Sequence, residues 1–140
     1  MAAISISDTH RRVLSSTLGI LDMMLCRFER WANGDETRGL LYQERNTLTA
    51  DQRRTILDHS AVMRRILGKL QRDLGLSAKT ENIPAYIRGW SQSFWPAMVE
   101  LESEYLKRYG DVSHGMAAYL DPEVAALIDH LMSIARVVQF

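Results

Sequence analysis

Apolar residues recur at spacings of three and four through most of this 140-residue chain, and the alternation expected of strands is scarce. That period matches the turn of an α-helix, so each recurring stretch has one face to bury. An all-α chain of four helices follows. The first spans about residues 8–33, with Ser7 placed to cap its start and Gly34 to end it. Steps of 100° gather Val13, Leu14, Leu18, Leu21, Met24, Leu25, Phe28 and Trp31 on one broad face. The second helix has the clearest limits. Thr49-Ala-Asp-Gln52 has capping-box spacing, Gly75 follows Leu74, and the stripe between them is Ile56, Met63, Ile66, Leu67, Leu70 and Leu74.

A third helical region covers about residues 83–109 and contains Trp95-Pro96, where a missing backbone donor and a crowded preceding turn predict a kink or a break. Asp121-Pro122-Glu123 offers a cap, a first-turn proline and a first-turn acid for the fourth helix, whose face is Val124, Leu127, Ile128, Leu131, Ala135 and Val138. Residues 34–48 are too long for a tight turn, and Leu40, Leu41 and Tyr42 are expected to anchor that connection to the core. The expected architecture is one domain over residues 1–140, a mainly antiparallel four-helix bundle with a kinked third helix and a long first connection.

Composition narrows the function classes. With 17 basic and 17 acidic residues and 46% apolar content, the chain is neither a polyanion nor a strongly basic nucleic-acid binder, and it is too apolar for disorder. The single Cys26 has no partner for an internal disulfide, which favours a reducing, cytoplasmic setting. The start does not read as a secretory signal, and no run approaches the roughly 20 apolar residues of a membrane span. Neutrality is a cancellation along the chain, because residues 49–74 are basic and residues 110–140 acidic.

Familiar chemistries find little footing. Carboxylate-bridged di-iron bundles need Glu-x-x-His pairs, and none of the four histidines has a Glu three residues before it. Asp111-Val-Ser-His114 has the spacing but falls in an irregular stretch. Ile56-Leu-Asp-His59 and Leu127-Ile-Asp-His130 look alike, yet adjacent helical residues point about 100° apart and do not chelate one ion easily. Nucleophile-elbow, phosphate-loop and dinucleotide signatures are missing. These absences weigh against an enzyme, and no cofactor is predicted.

Three sets of residues remain as candidates. Glu102 falls within the stripe of Trp95, Met98, Tyr105 and Tyr109, where an acid needs a partner. His10 on the apolar side of helix one, His59 on the shoulder of the core, and Tyr105 are the groups that would meet it in an interior polar pocket for a ligand or a metal ion. On helix two, Arg54, Arg65, Lys69 and Arg72 form a solvent-facing stripe suited to phosphates or an acidic partner, although Asp58 interrupts it and the zero net charge disfavours nucleic acid. On helix one, Ile20 and Met23 form a second apolar side beside the small residues Ser15, Gly19 and Cys26, which permit close approach of another helix. That helix belongs either to the same bundle or to a second subunit. The preferred expectation is an interaction module without chemistry of its own, partnered by a second copy or by another protein.

Overall fold

In the computed structural model, which describes residues 4–138, the chain is all-helical. Its elements are α1 (Asp8–Ala32), α2 (Ala50–Leu74), α3 (Ile83–Val99), α4 (Ser103–Leu106), a single 3₁₀ turn (Lys107–Tyr109) and α5 (His114–Val137). The chain divides into two compact units, Met1–Lys79 and Thr80–Phe140. Among the described residues no helix is long and apolar enough to cross a membrane.

Local chemistry explains most helix ends. The Ser7 hydroxyl accepts from the His10 amide at 3.1 Å, and Thr49 and Gln52 make the reciprocal capping box expected for α2. Gly75 closes α2 with φ +64°, a left-handed conformation in which a Cβ would be strained. Asn82 and Ser113 cap α3 and α5 by accepting from Ala85 and Met116.

Two boundaries depart from expectation. The third helical region does not break at Trp95-Pro96: α3 runs through Pro96 to Val99, and the chain leaves the helix at Glu100–Glu102. Asp121 explains the displacement. Its carboxylate accepts from the Ser103 amide at 2.8 Å and from the Ser103 hydroxyl at 2.7 Å, so a side chain of α5 fixes where α4 starts. For the same reason Asp121-Pro122-Glu123 does not open the last helix. Ser113 starts α5 at His114, and Pro122 lies inside it, where it deprives the Ala118 carbonyl of its donor.

Each unit is built on an antiparallel helix pair. In the first unit, Arg11 reaches the Leu74 carbonyl at 3.3 Å and Ser60 bonds Glu29, which sets α1 against α2. In the second unit, Arg88 donates to the Val138 carbonyl at 3.2 Å and Ser103 bonds Asp121. That register brings Ser91 level with Ala135. The most enclosed positions are small or medium-sized: Leu25, Ala32 and Ser60 in the first unit, and Ser91, Val124 and Ala135 in the second.

Candidate interaction surface

The row of small residues on α1 is an intramolecular seam. Ser15, Gly19, Asp22, Cys26 and Glu29 are spaced four and three apart, so they line one side of the helix. Arg64 of α2 spans that row: Nε donates to Glu29 Oε2 at 2.7 Å, Nη2 to Glu29 Oε1 at 2.8 Å and to Cys26 Sγ at 3.3 Å, and Nη1 to Asp22 Oδ1 at 2.7 Å. The Ser60 hydroxyl, on a residue only 2% exposed, donates to the same Glu29 carboxylate. Ser15 and Gly19 border a cavity of about 160 Å³ with Leu67, Gln71 and the segment after α2, and a Cβ on Gly19 would meet Lys79 Cβ at 4.0 Å. Within the chain, Arg64 of α2 and the segment after α2 face this row.

The bidentate Arg64 contact, followed by the Ser60 hydrogen bond, draws the Glu29 carboxyl from 4.5 to about 2 against the opposing effect of burial. Arg64 is held still more firmly protonated by the same pair. A carboxyl whose folded pKa is depressed stabilises the fold above its unfolded pKa and loses that contribution as pH falls toward the folded value. The α1–α2 pair is therefore expected to weaken between about pH 5 and pH 2. Discounted for solvent screening of side chains that are 28% and 37% exposed, the Glu29 share is about 1–2 kcal/mol. Thermal melts across that range check it, with Glu29→Gln giving a flatter acid branch than the parent.

Away from the seam, each helix of the first unit leaves apolar surface open. Val13, Ile20 and Phe28 on α1 and Val62 and Ile66 on α2 are exposed, Ile20 to 57% and Ile66 to 51%. Met24 and Trp31 lie between the α1 residues and are half-buried. Met23 is also exposed, on the other flank of α1.

The long first connection behaves differently from its expectation. Leu40, Leu41 and Tyr42 do not anchor it; both leucines are fully exposed at the tip of a short hairpin. Polar groups hold the loop instead. Glu44 accepts from the Thr37 amide at 2.8 Å, from Trp31 Nε1 at 3.2 Å and from the Tyr42 hydroxyl at 3.2 Å. Glu36 accepts from the Asn46 amide at 2.8 Å and from Arg38, while Asn46 Nδ2 donates to the carbonyls of Trp31 and Asp35 at 2.7 and 2.9 Å. The backbone amide donors lower both carboxyls below their ordinary range. At the turn, the Gly39 amide bonds the Tyr42 carbonyl at 2.7 Å, and a Cβ on Gly39 would stand 3.0 Å from that oxygen. Beside the base of this loop lies a cavity of about 560 Å³ lined by Trp31, Glu44, Asn46, Leu48 and Gln52, among others.

The second unit is rich in open aromatics. Trp90 and Phe94 stack with ring centroids 4.7 Å apart, Tyr86 is exposed one turn earlier, and α5 exposes Tyr119, Leu127 and Ile134. Arg108 sits 5.9 Å from the ring centroids of both Tyr105 and Tyr109.

The remaining sequence candidates are divided between the two units. His59 is exposed and not on the shoulder of the core, and His10 is exposed in the first turn of α1. Because Ser60 is level with Glu29, the two histidines stand roughly 30 Å apart along the pair, taking 1.5 Å per residue. Glu102 and Tyr105 belong to the second unit, and the break after Val99 removes the continuous stripe on which Glu102 was placed. Glu102 is half-buried at the start of α4 and its side chain makes no capping bond. Among the described residues no group of three or more His, Cys, Asp or Glu side chains is arranged to hold a metal ion. Arg54, Arg65, Lys69 and Arg72 are all exposed, and Arg54 pairs weakly with Asp51 at 3.6 Å. Sequence reasoning missed the Glu29–Arg64–Ser60 cluster. A signal was available, since Arg64 lies four residues after Ser60 and three before Leu67, on the inward side of α2 and off the basic stripe.

No protein-family model, curated protein or solved structure matches the chain.

Proposed function

We propose that this protein is a self-associating helical interaction module of the cytoplasm that carries out no chemistry of its own. The observation that carries the reading is the open apolar line on each helix of the first unit, with Ile20 and Ile66 more than half exposed. Exposed apolar surface of this kind costs free energy in water and is suited to protein interaction. The four-helix bundle with a kinked third helix, expected of a single chain, becomes on this reading a bundle of two α1–α2 pairs from two copies. The single, solvent-accessible Cys26 suits a reducing compartment.

Sedimentation equilibrium across a dilution series tests it. The parent is expected to pass from dimer to monomer on dilution, and the Ile20→Asp, Ile66→Asp double variant to remain monomeric at concentrations at least about tenfold higher, since each charge would be buried unpaired. A parent that stays monomeric at every concentration overturns the reading.

A further inference from the structure

We infer that the Leu40-Leu41 tip is a peripheral membrane contact, entering the interfacial layer of an anionic phospholipid surface while Arg38 and Arg45 beside it meet the headgroups. Such a contact goes beyond self-association and does not require it. Three observations converge on it. Leu40 and Leu41 are fully exposed and Tyr42 is 63% exposed, although the loop carrying them is tied down by the Glu36, Glu44 and Asn46 hydrogen bonds. The apolar pair is therefore held outward on a polar base and has not folded back onto its own unit. The hollows beside that base share Glu44, Arg45, Asn46 and Thr47 as lining and offer a leucine little apolar seat.

The charge that the hairpin presents to solvent is positive. Its two acids, Glu36 and Glu44, are half-buried and accept from backbone amides, whereas Arg38 and Arg45 are exposed, Arg38 while pairing with Glu36. Arg38 bridges to Gln43 across the hairpin, and Arg45 lies two residues beyond Gln43, so both arginines line one side of it. The unit that carries the tip is also the basic one. Residues 1–79 hold 13 Lys and Arg against 9 Asp and Glu, while residues 80–140 hold 4 against 8.

A convex apolar tip needs a partner that yields around it, and acyl chains yield where a protein partner must offer a preformed pocket. Two leucines are a weak anchor, and weak anchors hold only when an electrostatic attraction acts with them, which is what Arg38 and Arg45 supply. Tyr42, apolar in its ring and polar at its hydroxyl, suits the headgroup level.

Cosedimentation of the full chain with vesicles of equimolar phosphatidylserine and phosphatidylcholine tests the contact. The parent is expected to bind them at low salt, to bind pure phosphatidylcholine at least about tenfold more weakly, and to be released as salt is raised. Leu40→Ser with Leu41→Ser should lower partitioning at least about tenfold. Full exposure of both side chains means these substitutions leave the folded chain undisturbed, which an unchanged helical signal and melting midpoint confirm. Arg38→Gln with Arg45→Gln should lower partitioning by about tenfold and flatten its salt dependence. In a Cys26→Ser background, an environment-sensitive dye attached in the Leu41→Cys variant should shift its emission to the blue when the mixed vesicles are added. A parent that does not cosediment with the mixed vesicles at low salt, or a serine variant that binds them as the parent does, overturns the inference. Equal binding to both vesicle compositions overturns it as well, since the arginines then contribute nothing. A serine variant that weakens self-association, beside a parent that binds no vesicles, would make the tip a contact between copies and overturn it too.

Discussion

Arg64→Ala is expected to destabilise the first unit by about 2 kcal/mol, among the largest effects available to a single substitution outside its apolar interior. Arg64 contacts Glu29, Asp22 and Cys26 at once, so its loss strips the bidentate partner from a carboxylate that also holds the enclosed Ser60. Hydrogen bonds to charged groups contribute about 1.5–3 kcal/mol each, and removing one member of a buried pair costs about 3–5 kcal/mol. The partial exposure of this cluster brings the expectation below those figures. Urea unfolding followed by Trp31 fluorescence, in a background where Trp90 and Trp95 are replaced by phenylalanine, reads the unit directly. Arg64→Leu combined with Glu29→Leu should recover part of the loss, because no uncompensated charge then remains at the seam. A single variant with parental stability would show that the cluster is solvated and contributes little.

Ser91→Leu is expected to destabilise the second unit by about 3 kcal/mol, or to separate α3 from α5 outright. Ser91 is 1% exposed and level with the enclosed Ala135, so the two helices approach through small side chains. Two additional heavy atoms and a branched end at that level force off-rotamer side chains or a shifted backbone, which costs about 1–3 kcal/mol in a well-packed interior, and a rigid helix pair cannot yield at one point alone. Ser91→Ala keeps the approach and should stay within about 1 kcal/mol of the parent. Hydrogen exchange along α3 and α5 distinguishes the outcomes. Protection retained throughout α3 in the leucine variant would mean the site has room that its burial does not indicate.

How far the chain was legible depends on the range of the forces involved. The beginnings of α1 and α2 and the end of α2 lie where Ser7, Thr49, Gln52 and Gly75 place them, because capping pairs groups no more than four residues apart. The start of α5 followed the same rule through Ser113, but Asp121-Pro122-Glu123 imitates a helix start so closely that it masks the earlier cap. Trp95-Pro96 misleads for a related reason: a proline removes one hydrogen bond and α3 tolerates that, whereas the distant Asp121 carboxylate ends the region by supplying Ser103 with two bonds.

The candidate site was less legible than the fold. Helical periodicity set Ile20 and Met23 beside the row of Ser15, Gly19 and Cys26, but it carries no information on which side of α1 meets α2. Leu40, Leu41 and Tyr42 were expected to be buried because they are apolar. Their exposure follows from Glu36, Glu44 and Asn46, polar residues whose partners lie two to fifteen positions away and satisfy the loop without any apolar anchor. Sequence by itself determined that the chain is helical and where most of its helices begin, since helix and cap are decided by neighbours along the backbone. Only the tertiary structure decided that Arg64 turns inward to Glu29, that Asp121 stops α3 short of residue 103 and that two leucines stand free at a loop tip. Those outcomes rest on contacts between residues remote in sequence, whose energies depend on distances that no local pattern encodes.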